Sequence, residues 1–361
     1  MKNILAFFVI GLLTIVFTGC PIIHNNPKYD EGVFPFAPVN FAEVNSEYDD
    51  YNSALPVIQH KQYLIFSSNR NSQGENFDIV GDNLNIWWDM ETGLLTIDNK
   101  LSYYDTKFFD TLQNMINTTG NEFGPYSLNY GINYNNSNYA MINLVTYSSN
   151  YESNNYQSKF VYYKSDGSGI DGIYYGPFDI SMIDSTYDLQ YISFFSEQID
   201  DIHPWDLNPL EFEQMVFNTT SNGNTGIYSL NLPESDNFIE MLKNDTIINP
   251  ILISEVNSAS EDKCPFINAR LMVFTSNRDG GFGGYDLYYS WYENGTWSAP
   301  VNFGEEINTE YDEYRPVTVE VDGFINDLMI FSSNRPGGKG GYDLYYAGLP
   351  FKVRDLVYIQ D

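Results

Sequence analysis

Short apolar runs closed by Ser, Asn and Gly dominate the chain. Leu64-Ile65-Phe66 runs into Ser67-Ser68-Asn69-Arg70, Val273-Phe274 into Thr275-Ser276-Asn277-Arg278, and Ile330-Phe331 into Ser332-Ser333-Asn334-Arg335. Val145 to Asn150 and Val216 to Thr220 are worn versions of the same phrase. Runs this short, bounded by turn residues, predict strands rather than helices. After the turn comes an alternating aromatic strand, clearest in Gly283-Gly284-Tyr285-Asp286-Leu287-Tyr288-Tyr289 and Gly340-Gly341-Tyr342-Asp343-Leu344-Tyr345-Tyr346. The glycines supply the positive φ angles that tight hairpins need.

A second phrase precedes each run: a β-branched residue, then Asn or Asp, then Ser or Thr. Its copies open at Val44, Ile116, Ile183, Val256 and Ile307, spaced 72, 67, 73 and 51 residues apart. Units of this length, each a meander of four short strands, have the size of propeller blades. The expected fold is therefore all-β: a propeller of four-stranded antiparallel blades, five in number, with six as the alternative. Phe36 to Phe41 matches the outer strand that ends a blade, and the last repeat stops after its third strand. The N-terminal strand is thus expected to close the ring and remove its open edges. The expected organisation is 1–19 as a leader, 20–33 as a tether, 34–350 as the propeller and 351–361 as a tail.

Ser332 to Tyr346 (SSNRPGGKGGYDLYY) resembles the signature of the WD-like β-propeller repeats of bacterial envelope proteins, the TolB-like and OmpA-associated group. That resemblance implies a β-propeller and an envelope protein partner. The leader has Lys2, an apolar stretch from Ile4 to Phe17, and then Thr18-Gly19-Cys20. This resembles the lipobox of bacterial lipoproteins, which implies lipidation of Cys20. The implied location is the outer membrane, held by the lipid anchor alone, on the periplasmic side rather than the cell surface.

Composition narrows the partners. Lys plus Arg total 17 against 48 Asp plus Glu, a formal charge of −31. A chain so acidic is not expected to bind nucleic acid, whose affinity rests on cationic side chains. With Cys20 lipidated, Cys264 is the one remaining cysteine, so no disulfide or cysteine-based metal site is expected. His24, His60 and His203 are isolated, and Ser165 to Gly172 reads as a Gly-rich hairpin rather than a calcium loop. No metal and no cofactor are expected.

Two sets of residues stand out. Arg70 precedes Asp78, Arg278 precedes Asp286, and Arg335 precedes Asp343, each by eight positions, and the second and third repeats lack both members. Residues kept or lost together predict structural ion pairs across the hairpin. The second set is Asp49, Asp50, Glu122, Asp188, Glu261, Asp262, Asp312 and Glu313, which fall at two adjacent slots of the repeat. In equivalent blades they would ring one mouth of the channel and attract a cation or a basic partner. Symmetry argues against an active site, so the expected function is a non-enzymatic, protein-binding or scaffolding module. The alternative is a glycan-binding protein or a five-bladed-propeller glycoside hydrolase. Trp87, Trp88, Trp205, Trp291 and Trp297 are the candidates for stacking on sugars, and paired carboxylates are the chemistry of hydrolysis.

Overall fold

The computed structural model describes residues 28–353, except 59–60, 101–102, 136–137, 153–154, 166–171, 185–186, 200–206 and 222–223. Cys20 and its leader, all three histidines, Trp205 and most of the Ser165–Gly172 segment lie outside the described residues.

Five antiparallel sheets form the blades of a closed propeller. Their first strands are Asp50–Ala54, Glu122–Asn135, Gln190–Phe195, Asp262–Asn268 and Glu313–Val319. Each of these contacts the first strand of the blade before it and of the blade after it, so together they encircle the axis. The ring closes as expected: Val39–Asn40 is the outer strand of blade 5, with Val39 opposite Tyr346 and Asn40 opposite Tyr345.

Hydrophobic burial sits between blades. Five apolar clusters are found among the described residues, one per blade–blade interface. The second strand of a blade is covered on both faces, which explains its unbroken apolar run. Leu328 and Ile330 face the interface between blades 5 and 1, while Met329 and Phe331 face that between blades 4 and 5. Alternate side chains of one strand thus feed two cores.

The five-copy phrase joins one blade to the next. Its β-branched residue, Val44, Ile116, Ile183, Val256 or Ile307, is buried in the interface core. The Asn that follows clips the third strand of the preceding blade. Asn308 accepts from Leu287 N–H at 2.8 Å and donates to Leu287 C=O at 3.0 Å. Asn45 makes the same pair of bonds with Leu344, Asn117 with Ile79, and Asn257 with Ile227. A carboxamide suits this place because one side chain carries both a donor and an acceptor.

Blade 1 departs from the expected four strands. Asp50–Ala54, Lys61–Ser68 and Asp78–Asn83 form its sheet, with the short Val57–Ile58 strand folded against the second. In place of an outer strand comes a hairpin, Asn85–Asp89 with Leu94–Asp98, and then a helix, Tyr103–Ile116. Phe109, Leu112 and Ile116, spaced on one helical face, pack on Ile79 and Tyr63 and cover that edge of the sheet.

Asn308→Ala should remove both clip bonds and leave the buried Leu287 N–H unpaired, its C=O keeping the bond from Phe303 N–H, at a cost of about 1–3 kcal/mol. Asn308→Asp keeps the acceptor for Leu287 N–H but buries a carboxylate against Leu287 C=O and Asn302 Oδ1, and should cost at least as much. Chemical denaturation of the three proteins checks the order.

Candidate functional site at the axial mouth

Two adjacent slots open each first strand, both acidic in blades 1, 4 and 5 and one acidic in blades 2 and 3, and pleating sends them in opposite directions. The second slot, Asp50, Glu122, Asp262 and Glu313, is fully buried between blades. There the acids bind the Ser or Thr of the phrase: Ser258 N–H and Oγ reach Asp262 at 2.6 and 2.9 Å, and Thr309 N–H and Oγ1 reach Glu313 at 2.8 and 2.6 Å. These four do not line the mouth. The expected ring of eight is corrected to a buried set and an axial set.

The buried acids are also the partners of the arginines. Arg70 meets Asp50 at 2.6 Å, Arg278 meets Asp262 at 2.5 Å, and Arg335 meets Glu313 at 2.8 Å. Each guanidinium also donates to the carbonyl of the phrase's β-branched residue, Val44, Val256 or Ile307. The expected pairs Arg70–Asp78, Arg278–Asp286 and Arg335–Asp343 are therefore corrected. Asp286 accepts from Phe282 N–H, Gly283 N–H and Asn302, and Asp343 from Lys339 N–H and Gly340 N–H, both shaping the Gly-rich turn. Asp78 accepts from Asn71. The two motifs recur together because both belong to one well-preserved hairpin, not because they touch.

The first slot, Asp49, Asp188, Glu261 and Asp312, faces the mouth and meets the aromatic residue at the start of a neighbouring third strand. Asp312 accepts from Tyr285 N–H at 2.9 Å and from the Tyr342 hydroxyl at 2.9 Å. Tyr342 N–H donates to Asp49 at 2.8 Å, and the Tyr285 hydroxyl donates to Glu261. A belt of alternating carboxylate and tyrosine results: Glu261, Tyr285, Asp312, Tyr342, Asp49. Across the mouth, Tyr156 N–H donates to Asp188 at 2.9 Å, and Phe77 N–H to Asn121 at 3.0 Å.

Aromatic rings fill the mouth between these acids. Tyr285, Tyr314, Tyr342, Tyr51, Phe77, Phe123 and Tyr156 form a continuous series, neighbours lying 4.8–6.4 Å apart between centroids. Sequence reasoning missed this cluster. Its signal was present in the aromatic residue after the acid in Asp50-Tyr51, Glu122-Phe123 and Glu313-Tyr314, and in the one before it in Tyr285-Asp286 and Tyr342-Asp343.

Blade 4 breaks the pattern. Lys263 stands where blades 1, 2 and 5 carry aromatics, 2.8 Å from Glu261 and 4.8 Å from the Tyr285 ring centroid. Lys263 and Tyr285 hold the Glu261 carboxyl below its usual range. Burial pushes the Tyr285 hydroxyl up, reinforced by its bond to Glu261. Burial opposes the charge of Lys263, but hydrogen bonds to Glu261 and Tyr285 outweigh it and raise its pKa. Burial likewise pushes Tyr156 up to about 12.

Below the aromatics the axis is filled. Every first strand carries a bulge, and the residue there has a positive φ: Asn52 (61°), Gly124 (57°), Tyr191 (57°), Cys264 (54°) and Arg315 (48°). Arg315 is fully buried, donates to Pro265 C=O at 2.9 Å and Pro125 C=O at 3.4 Å, and lies over the Tyr191 ring. Burial pushes the adjacent Cys264 thiol up to about 11. None of the five axial residues is a carboxylate, so the acids available for chemistry are those of the mouth. Of the tryptophans expected to meet sugars, Trp88 and Trp297 pack against neighbouring aromatics and Trp291 against Phe351, while Trp87 stands on the outer hairpin.

No family model matches the sequence, and no curated protein matches it. Solved structures do match. A thermostable family-43 glycoside hydrolase does so with a TM-score of 0.46 at 13 % identity, covering 88 % of this chain and 94 % of that one. The catalytic domain of a Coprinopsis cinerea GH62 α-L-arabinofuranosidase gives 0.43 at 9 %, over 88 % and 97 %. An exo-1,5-α-L-arabinanase from a bovine ruminal metagenomic library gives 0.44 at 10 %, over 84 % and 94 %. These are glycoside hydrolases, where TolB-like or WD-like repeat proteins were expected. None of the three is a non-enzymatic, protein-binding scaffold, the function expected from the sequence. The likeness is one of chain path, and no residue's role passes to this chain through it.

Two predictions follow from the buried acids. Arg335→Ala and Glu313→Ala should each destabilise by about 3 kcal/mol, because the first leaves the buried Glu313 carboxylate without its cation and the second leaves Arg335, Thr309 and Ser333 without their shared acceptor. The double variant should cost clearly less than the sum. Arg335→Ala with Asp343→Ala should be closer to additive in the same melts.

Among the described residues Glu122 has no such cation, since exposed Tyr151 stands where blades 1, 4 and 5 have arginine, and burial raises its pKa. Its ionisation therefore works against folding as pH rises through the folded-state value. Tyr151→Arg should lower that value and add about 1–2 kcal/mol at neutral pH. The gain should fade on acidification toward the point where Glu122 protonates. Thermal melts from pH 4 to 8 read this directly.

Proposed function

We propose that the protein is a carbohydrate-active propeller, a glycoside hydrolase that seats a sugar chain on the tyrosine-rich mouth of its axis. The observation that carries this reading is the belt Glu261, Tyr285, Asp312, Tyr342, Asp49. Sugar recognition needs flat apolar faces for the C–H side of the ring and acceptors for its hydroxyls, and aromatic rings alternating with carboxylates supply both. Glycoside hydrolysis needs two carboxyl groups flanking one bond. Glu261, kept ionised by Lys263 and Tyr285, suits the base or nucleophile, and Asp312 is the carboxyl one tyrosine away. Blade 4 breaks the five-fold symmetry where a reaction would need it broken.

The leader suggests the setting: an exported protein, tethered through Cys20 at the periplasmic side of an outer membrane. Release of reducing ends from a panel of polysaccharides tests the activity. Hydrolysis is expected, with Glu261→Gln and Asp312→Asn each lowering turnover at least a hundredfold at unchanged melting temperature. Tyr342→Ala should weaken glycan retention at least tenfold in affinity electrophoresis. Absence of both hydrolysis and retention across the panel would overturn the reading.

A further inference from the structure

The hairpin that replaces the outer strand of blade 1 has one face in the protein and one face out. Ile86, Trp88, Leu95 and Ile97 pack on the core between blades 5 and 1. Trp87 and Leu94 lie on the opposite face, diagonal neighbours across the pair, because Trp87 is opposite Thr96 and Leu94 opposite Asp89. Trp87 is 70 % exposed, Leu94 62 % and Met90, at the turn, 50 %. A tryptophan held in solvent on a rigid hairpin keeps a large apolar surface wet at a cost that a purely structural role does not recover.

The N-terminal tether docks on this same hairpin. Tyr29 N–H donates to Met90 C=O at 2.9 Å, Trp88 Nε1 donates to Tyr29 C=O at 3.4 Å, and the two rings meet edge to face at 6.3 Å. Further on, Gly32 pairs with Phe324 and accepts from Ile325 N–H, which leaves the Ile325 side chain 48 % exposed beside the tether. Tyr29 lies nine positions after Cys20, a reach of at most about 30 Å. An acyl group on Cys20 would therefore hold the bilayer within reach of the hairpin.

We propose that the outer face of this hairpin, Trp87, Met90 and Leu94, is a bilayer-contact patch that works beside the lipid anchor and orients the propeller on the membrane. The inference rests on acylation of Cys20 and is independent of the carbohydrate reading. Trp and Leu suit the headgroup boundary, where an amphipathic ring meets both water and hydrocarbon. Asp89 and Glu91 at the turn, in a chain of net charge −31, select zwitterionic over anionic lipid. A second weak contact also suits an acyl anchor, which gains stability from an additional membrane signal.

The test uses the lipidated full chain reconstituted into phosphatidylcholine vesicles whose acyl chains are brominated near the headgroup. Tryptophan fluorescence should be quenched in the native protein, and the quenching should largely vanish in Trp87→Phe. Leu94→Asp should reduce it at least twofold, and replacing a third of the lipid by phosphatidylglycerol should weaken it in the native protein. Equal quenching in the native protein and Trp87→Phe would overturn the proposal. So would a detergent-stable dimer that Leu94→Asp dissociates without any lipid quenching, which would assign the face to a second copy. A mass showing Cys20 unmodified in an envelope-derived sample would remove the reach on which the patch depends, and overturn it as well.

Discussion

Blades of a propeller have no covalent reason to stand side by side, and each sheet alone would expose two apolar faces. Here the contact that fixes their spacing is the Asn clip between the connecting phrase and the third strand of the preceding blade, made by Asn45, Asn117, Asn257 and Asn308. Two hydrogen bonds from one rigid side chain set distance and register together, which apolar packing, being non-directional, does not do. The β-branched residue before each Asn anchors the interface core. The Ser or Thr after it receives the buried acid, and in three blades that acid receives an arginine. Three successive residues thus tie backbone, core and charge at four of the five junctions; the one into blade 3 carries Asp184 in place of the Asn and Leu189 in place of the buried acid.

The acids tied down in this way are lost to any ligand, and that constraint shapes the mouth. Carboxylates one residue earlier in the same strands face the axis, because a pleated strand turns consecutive side chains to opposite sides. They too are partnered, but by tyrosine hydroxyls and main-chain N–H groups at the rim, where water and solutes have access. Structural and candidate functional acids are therefore adjacent in sequence and opposite in space.

Five-fold repetition builds the scaffold, and its breaches carry the individuality of the molecule. Lys263 replaces an aromatic ring in blade 4 and holds Glu261 ionised. Arg315 takes the axial slot of blade 5, which the other blades give to Asn52, Gly124, Tyr191 and Cys264, and fills the channel below the mouth, its charge met by carbonyls and ring faces instead of a carboxylate. A hairpin and a helix replace the outer strand of blade 1 and bring the tether and an apolar face to one side.

The repeat count, the ring closure by the N-terminal strand and the antiparallel blades were all legible in the chain, because each rests on local signals repeated five times: apolar runs, turn glycines and the β-branched, Asn, Ser phrase. The pairing of the arginines was not. Arg335 and Asp343 recur at a constant interval, yet Arg335 reaches back to Glu313, because strands adjacent in the sheet bring together residues that sequence spacing keeps apart. The mouth was half legible: acids at two slots could be read, but which slot faces the axis depends on the register and bulge of the first strand. The aromatic series was invisible for the same reason, since its seven rings come from four blades and only closure of the ring brings them within contact. Periodicity determines what each blade is, and the closed ring alone decides which side chains meet at its centre.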